Sequence, residues 1–245
     1  MKKIIVFLLF LAAVWGLYSF NIIKSPEAID VIYHDSFTKL DNEFWFVGEW
    51  QTNIKVPHKL IIKDGVLNMP VNETDRGPYM LSKPIPLEGK TIVYIKRKVF
   101  QHYSNDNYTG GLALFETDDY DLIPKPKDDA SLNMGNALFL VEYVYDNREE
   151  STRPGKNAFR VLPTNWKDSD DYLLINPIFD KWFIEEIEYH TDTGELIYTI
   201  DDRSYTIKTN KIKANNVRLF MHSYGSFTGH YTKMEYLDIK LTNPE

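Results

Sequence analysis

The chain has 245 residues, 43% of them hydrophobic and 26% charged, long enough to bury one sizeable core. A formal charge of -7 argues against nucleic acid or an anionic membrane surface as principal partner, because both need a cationic face to displace counterions. With no cysteine, the sequence excludes disulfides, thiolate catalysis, zinc–thiolate sites and a lipid-modified cysteine anchor.

The first element is "MKKIIVFLLFLAAVWGLYSFNIIK", in which Lys2 and Lys3 precede an apolar run from Ile4 to about Tyr18. This is the layout of an export signal. No A-x-A-like cleavage site follows, and only Gly16 and Ser19 offer small residues there. Extended through Ile23, the run reaches the roughly 20 residues that span a bilayer, and the two lysines set its N-terminus on the cytoplasmic side. The expected organisation is a signal peptide or membrane anchor over 1–23, the anchor preferred, a tether over 24–32 and one folded domain over 33–245. That domain is then extracytoplasmic, either anchored or secreted, and touches membrane only through the leader.

After the tether come short runs rich in Val, Ile, Tyr and Phe: "TIVYIKRKVF" from Thr91, "GGLALFE", "ALFLVEYVYD", "FIEEIEYH", "ELIYTID", "NVRLFMHSYG" and "YLDIKL". Most alternate with period two, no helix-period segment intervenes, and "KDGV" and "HTDTGE" are turn sequences between them. The predicted fold is an all-β, two-sheet antiparallel sandwich. The acidic stretch from Asp118 to Asn136 has no strand character and is expected to be an extended surface loop.

Chemistry must come from particular faces of those strands. In "ALFLVEYVYD", Glu142, Val144 and Asp146 share one face, while Tyr143 and Tyr145 continue the core face of Phe139 and Val141. In "FIEEIEYH", Glu186, Glu188 and His190 share a face with Trp182. Two facing carboxylates suit acid/base work, yet the outer face of an antiparallel sheet is commonly solvated. The six histidines have no paired ligand spacing, and "DSDD" from Asp168 lacks the glycine and closing glutamate of a calcium loop. Loops that mix rings with amides and imidazoles suit sugars, whose C–H faces stack on rings while hydroxyls take polar partners. Those expected to bind are His102, Tyr103, Asn107 and Tyr108 in "QHYSNDNYTGG", Trp166 in "PTNWKDSDDY", and His222 and Tyr224 in "FMHSYGSFTGHY".

Several segments together resemble the concanavalin A-like lectin/glucanase superfamily. The opening "HDSFTKLDNEFWFVGEWQ", then "LIIKDGVLNMP" and the Ser82–Lys83 pair, is similar to its D-x-F…Trp start, and "FDKWFIEEIEYHTDTGELIYTIDDRSYTI" to its W-x-x-x-x-I-x-Y hairpin. "HYTKMEYLDIKLT" is similar to its closing strand. The resemblance covers most of residues 33 to 243. It implies a jelly roll with a sugar-binding concave face, and a candidate structural Ca²⁺ between first and last strands at Asp35 or Asp238; no other cofactor is required. Laminarinase-like members carry an E-x-D-x-E acid/base strand where this chain has E-x-V-x-D, with Val144 replacing the middle carboxylate and Asp146 shorter than glutamate. Positions i and i+4 lie roughly 13 Å apart along a strand, against about 5 Å for a retaining carboxyl pair or 6.5–9.5 Å for an inverting one.

The resulting expectation is an exported jelly roll that binds a polysaccharide or other glycan and lacks competent hydrolytic carboxylates. Glu142 is itself expected to contact the glycan. The alternatives are a divergent glycoside hydrolase or lyase using Glu142 with Asp146 or Glu186, and a structural or protein-interaction domain of the cell surface. The sequence leaves the oligomeric state open.

Overall fold

The computed structural model describes residues 29–49, 59–71, 77–100, 110–116, 138–145, 157–163, 173–208, 215–223 and 229–242. These form β1 (Ile29–Asp35), β2 (Trp45–Glu49), β3 (Ile61–Lys63), β4 (Val66–Val71), β5 (Pro78–Ser82), β6 (Ile85–Pro86), β7 (Lys90–Val99) and β8 (Gly110–Glu116). They continue as β9 (Phe139–Tyr145), β10 (Asn157–Pro163), β11 (Leu173–Ile175), β12 (Trp182–His190), β13 (Glu195–Ile200), β14 (Arg203–Lys208), β15 (Asn216–His222) and β16 (Gly229–Thr242). The described residues contain no helix, and the 1–23 leader lies outside them.

Two eight-stranded antiparallel sheets result. The terminal-strand sheet runs β14-β13-β12-β7-β16-β4-β3 with β1 added to β16, and the β9 sheet runs β11-β10-β9-β8-β15-β5-β2 with β6 added to β15. The predicted sandwich is what forms. In β7 the alternation predicted from sequence is realised residue by residue: Thr91, Val93, Ile95, Arg97 and Val99 are buried and the intervening residues are not. β12 repeats the pattern with Phe183, Glu185, Ile187 and Tyr189 inward. From the facing sheet Leu112, Leu114, Phe139, Val141, Tyr143, Phe159, Leu219 and Met221 complete the core, so Tyr143 lies where the sequence assigned it.

Local chemistry fixes the sandwich at two points. Asp35 ends β1 buried, with one oxygen accepting from the Phe37 amide at 2.7 Å and the other from Trp45 Nε1 at 3.0 Å and the Tyr33 hydroxyl at 3.0 Å. The opening D-x-F…Trp motif is thus one hydrogen-bonded corner. At the β3–β4 hairpin, Asp64 and Gly65 both take positive φ, 54° and 71°, as a two-residue type I′ turn requires.

The last strand shapes the surface of its sheet. β16 pairs with β7 along one edge, while on its other edge β4 occupies the first half and β1 the second. Between them the register with β7 shifts between Met234 and Tyr236, a β-bulge at Glu235.

Candidate functional site

The register assembles one cross-strand row on the outer face of the β9 sheet. Gly48 pairs with Tyr79, Tyr79 with His222, His222 with Gly111, Gly111 with Glu142, and Glu142 with Arg160. Two residues expected from sequence as functional, Glu142 and His222, therefore stand on either side of a glycine. That glycine is required: a Cβ at position 111 would lie 2.6 Å from His222 Nε2 and 2.7 Å from the Val141 carbonyl oxygen.

The row is largely withdrawn from water. Glu142 and Arg160 side chains are 14% and 11% exposed, and the Arg160 guanidinium donates to the Glu142 carboxylate. Burial pushes the Glu142 carboxyl up from its ordinary value, and Arg160 opposes that shift. His222 is buried against Phe220, with ring centroids 5.3 Å apart, and burial, followed by the Arg97 charge, lowers its pKa to about 3. It is a neutral imidazole at working pH. Leu140 and Val144 are buried beside Glu142, so on a face expected to be solvated the partly exposed Glu142–Arg160 pair is flanked by buried apolar side chains.

Glu142 and Glu186 do not form a catalytic pair. Glu186 projects from the outer face of the terminal-strand sheet, so the core lies between the two carboxylates and they point apart. Around Glu186, Glu188 pairs with His190 Nε2 at 2.5 Å and with Lys90 at 3.9 Å. Burial and the Glu188 charge raise the Glu186 pKa, and Lys240 opposes them. Sequence reasoning missed the neighbouring Glu185, which is fully buried. It pairs with the equally buried Arg97 at 3.4 Å and accepts from the hydroxyls of Tyr143, at 2.6 Å, and Tyr198, at 2.7 Å. The alternation that gave the core, Phe183 and Ile187 flanking Glu185, and Ile95 and Val99 flanking Arg97, already marked both as inward.

Asp35 and Asp238, each a candidate cation ligand from the sequence, point to opposite faces of their sheet. Asp35 faces inward with both oxygens engaged, whereas Asp238 lies on the outer face, 2.6 Å from Nδ1 of His34, its partner on β1. Among the described residues no cluster of three or more histidines and carboxylates is placed to hold a metal ion. His102, Tyr103, Asn107, Tyr108, Asp146, Trp166 and Tyr224 lie outside the described residues.

The gap between the ends of β1 and β4 opens a trough of about 540 Å³, lined by His34, Asp64, Tyr94, Glu235, Tyr236 and Asp238. The Tyr94 and Tyr236 rings lie near-parallel, 14° apart in plane with centroids at 5.9 Å, and Lys240 stands 5.0 Å over Tyr94. Burial and contact with Tyr94 push the Tyr236 hydroxyl up to about 12. A second trough of about 380 Å³, lined by Ile61, Lys63, Asn68, Trp182 and Lys233, adjoins the first through Asp64 and Val66. The sequence singled out Asp238 and Trp182 separately, but their grouping with Tyr94, Glu235 and Tyr236 arises from register and a bulge.

No protein-family model matches the sequence, and no curated protein does. Among solved structures, the Emp47p carbohydrate recognition domain is similar over 90% of this chain and 100% of that one, with a TM-score of 0.61 at 10% identity. The exoplasmic/lumenal domain of VIP36 in its Ca²⁺/Man3GlcNAc-bound form is similar over 89% and 92%, with a TM-score of 0.61 at 13% identity. Winged bean acidic lectin complexed with methyl-α-D-galactose covers 89% and 100%, with a TM-score of 0.57 at 12% identity. At these identities the likeness is one of fold alone, a two-sheet antiparallel jelly-roll sandwich.

Proposed function

We propose that this chain is a glycan-binding jelly-roll domain that does not hydrolyse its ligand. The carrying observation is the Glu142–Arg160 ion pair on the β9 sheet, in a fold shared with carbohydrate recognition domains. A carboxylate with a standing cationic partner is suited to accepting hydrogen bonds from hydroxyls, whereas a nucleophile or proton donor needs a second carboxyl at hydrolytic distance. The described part of this row supplies no second one. Tyr103, Asn107, Tyr108, Trp166 and Tyr224 are the ring and amide groups we assign to the ligand. Export, with residues 1–23 as anchor, is supported by Lys2 and Lys3 before the apolar run. The rival reading, a divergent glycoside hydrolase, draws on the raised pKa of Glu142, a property of proton donors. A glycan array run beside a reducing-end release assay separates the two. Binding without release is expected; release that disappears in Glu142→Gln overturns the proposal.

A further inference from the structure

The outer face of the terminal-strand sheet, across the core from the Glu142 row, carries features of a ligand site that the Glu142 reading leaves unused. We infer that the trough between β1 and β4 is a second saccharide site, one that takes a linear oligosaccharide whose unit beside Tyr94 and Tyr236 is uncharged; the inference rests on the glycan-binding reading but concerns a different sheet.

A strand edge shared end to end by β1 and β4 leaves a notch wherever the two fail to meet, and the bulge at Glu235 sits at that notch. Bulges re-aim side chains and recur next to functional sites. Here the adjacent residues Glu235 and Tyr236 both line the trough, although regular strand neighbours point to opposite faces. Tyr94 and Tyr236 stack near-parallel in the trough lining and Lys240 lies over Tyr94, so the ring surface for the C–H face of a pyranose is that of Tyr236. Around it stand acceptors held by cationic partners: Glu235 lies 2.5 Å from Lys96 and Asp238 lies 3.9 Å from Lys240, with His34 Nδ1 2.6 Å from Asp238. Hydroxyls can bond to such paired groups without displacing either partner, whereas a uronate carboxylate would have to compete with Glu235 or Asp238 for the same lysine and would meet Asp64, which has no ion-pair partner among the described residues.

Chain length follows from the adjoining trough. Trp182, Lys98, Lys233, Asn68 and Ile61 form one cross-strand row over β12, β7, β16, β4 and β3. That row supplies another ring, Trp182, with Lys96 at 5.8 Å over it, in a depression that shares Asp64 and Val66 with the first. Rings in two adjoining depressions fit a run of sugar units better than a single sugar.

The test uses the full chain in detergent micelles, carrying 3-fluorotyrosine, titrated with mannotetraose, cellotetraose and laminaritetraose, and with tetragalacturonate as the charged control. At least one neutral tetraose is expected to shift the fluorine resonances that disappear in Tyr94→Phe and Tyr236→Phe. Tyr236→Ala should weaken that tetraose roughly five- to tenfold, in line with loss of one stacking ring. Tyr236→Phe, which keeps the ring, should stay within about twofold of the parent, so lost stacking is told apart from lost folding. Tetragalacturonate should bind more weakly than the neutral probe. A tetraose that binds while both resonances stay still and Tyr236→Ala is silent overturns this site and leaves the glycan-binding reading intact. Tighter binding of tetragalacturonate overturns the neutral assignment. Failure of every neutral tetraose to bind removes this site, while an array negative for all glycans removes the glycan-binding reading as well.

Discussion

The two sheets are built from similar strands and treat their outer faces in opposite ways. On the terminal-strand sheet, β7 and β12 alternate strictly, and the half-buried outward set is mostly polar, Lys90, Tyr94, Lys96, Lys98, Glu186, Glu188 and His190, with Ile92, Trp182 and Ile184 among them. At the centre of the β9 sheet both faces are buried: Phe139, Val141 and Tyr143 inward, Leu140 and Val144 outward, with Ala113, Phe115, Phe220 and Tyr79 continuing the outer layer. Polar groups behave accordingly. Lys96 and Glu235, each 32% exposed, form a surface ion pair of little energetic weight, whereas Glu142 and His222 stand in an apolar layer where every unmatched charge or hydrogen bond is costly. The same residue types are thus solvation on one sheet and constraint on the other.

What joins the sheets should give the largest response. Glu185 on β12 receives the Tyr143 hydroxyl from β9 and the Arg97 charge from β7, all fully buried. Glu185→Ala leaves the Arg97 guanidinium uncompensated and should cost about 3–5 kcal/mol in urea unfolding of the chain. The double replacement Arg97→Met with Glu185→Leu should recover only part of that loss, because an apolar pair needs no counter-charge but leaves the buried Tyr143 and Tyr198 hydroxyls without their Glu185 acceptor. A small single-mutant effect would mean that the sheets are joined by apolar packing alone.

This division was half legible in the sequence. Period-two strands such as "TIVYIKRKVF" announced both their fold and their wet face, and the Asp64–Gly65 turn announced its hairpin. A run such as "ALFLVEYVYD" announced a strand, but a near-continuous apolar stretch does not say whether one face or both are covered. Glu142 therefore read as solvated. Its partner Arg160 and its neighbour His222 depend on inter-strand register, which long connections leave unspecified in a single sequence. Glu185 and Arg97 were readable by parity, yet charged residues are so seldom fully buried that composition argued against it. The notch beneath β1 depends on where two separate strands stop, which no local pattern encodes.

Acid should act strongly on the buried layer. His222 titrates near 3 when folded and near 6.5 when unfolded, so between those values the unfolded chain binds the additional proton. The stability this histidine contributes is complete above about pH 6.5 and is lost as the pH falls toward 3, by roughly 3–4 kcal/mol. In His222→Gln the difference from the parent should shrink over that interval, measured as urea midpoints from pH 7 to pH 3.5. A parallel pH dependence in parent and variant would place the imidazole in contact with water.

Packing on the two outer faces offers a finer test. Gly111→Ala drives a methyl into His222 and the Val141 carbonyl and should cost about 1–3 kcal/mol. Thr199→Ala, on the solvated face where its hydroxyl lies 2.9 Å from that of Ser204, should stay within about 0.5 kcal/mol. Thermal denaturation of both variants measures the contrast, and equal shifts would erase it.

The smallest expected effect belongs to Glu142→Gln. Burial raises this carboxyl, so its contribution to stability is fully present below the ordinary carboxylate pKa and is lost as pH rises through the folded value. Gln does not titrate; relative to the parent, the variant should therefore gain stability as pH rises out of the carboxylate range, despite losing the charge that Arg160 faces. Glycan affinity should fall only slightly, because the amide keeps the shape and one acceptor and loses only charge-assisted strength. A nucleophile or proton donor would respond differently, with turnover reduced by orders of magnitude and binding almost unchanged. Isothermal titration with a glycan taken from the array and reducing-end assays on β-glucans, run on parent and variant together, read both quantities. Near-equal affinity with no release from either protein is the outcome expected of a carboxylate held by an arginine in an apolar layer.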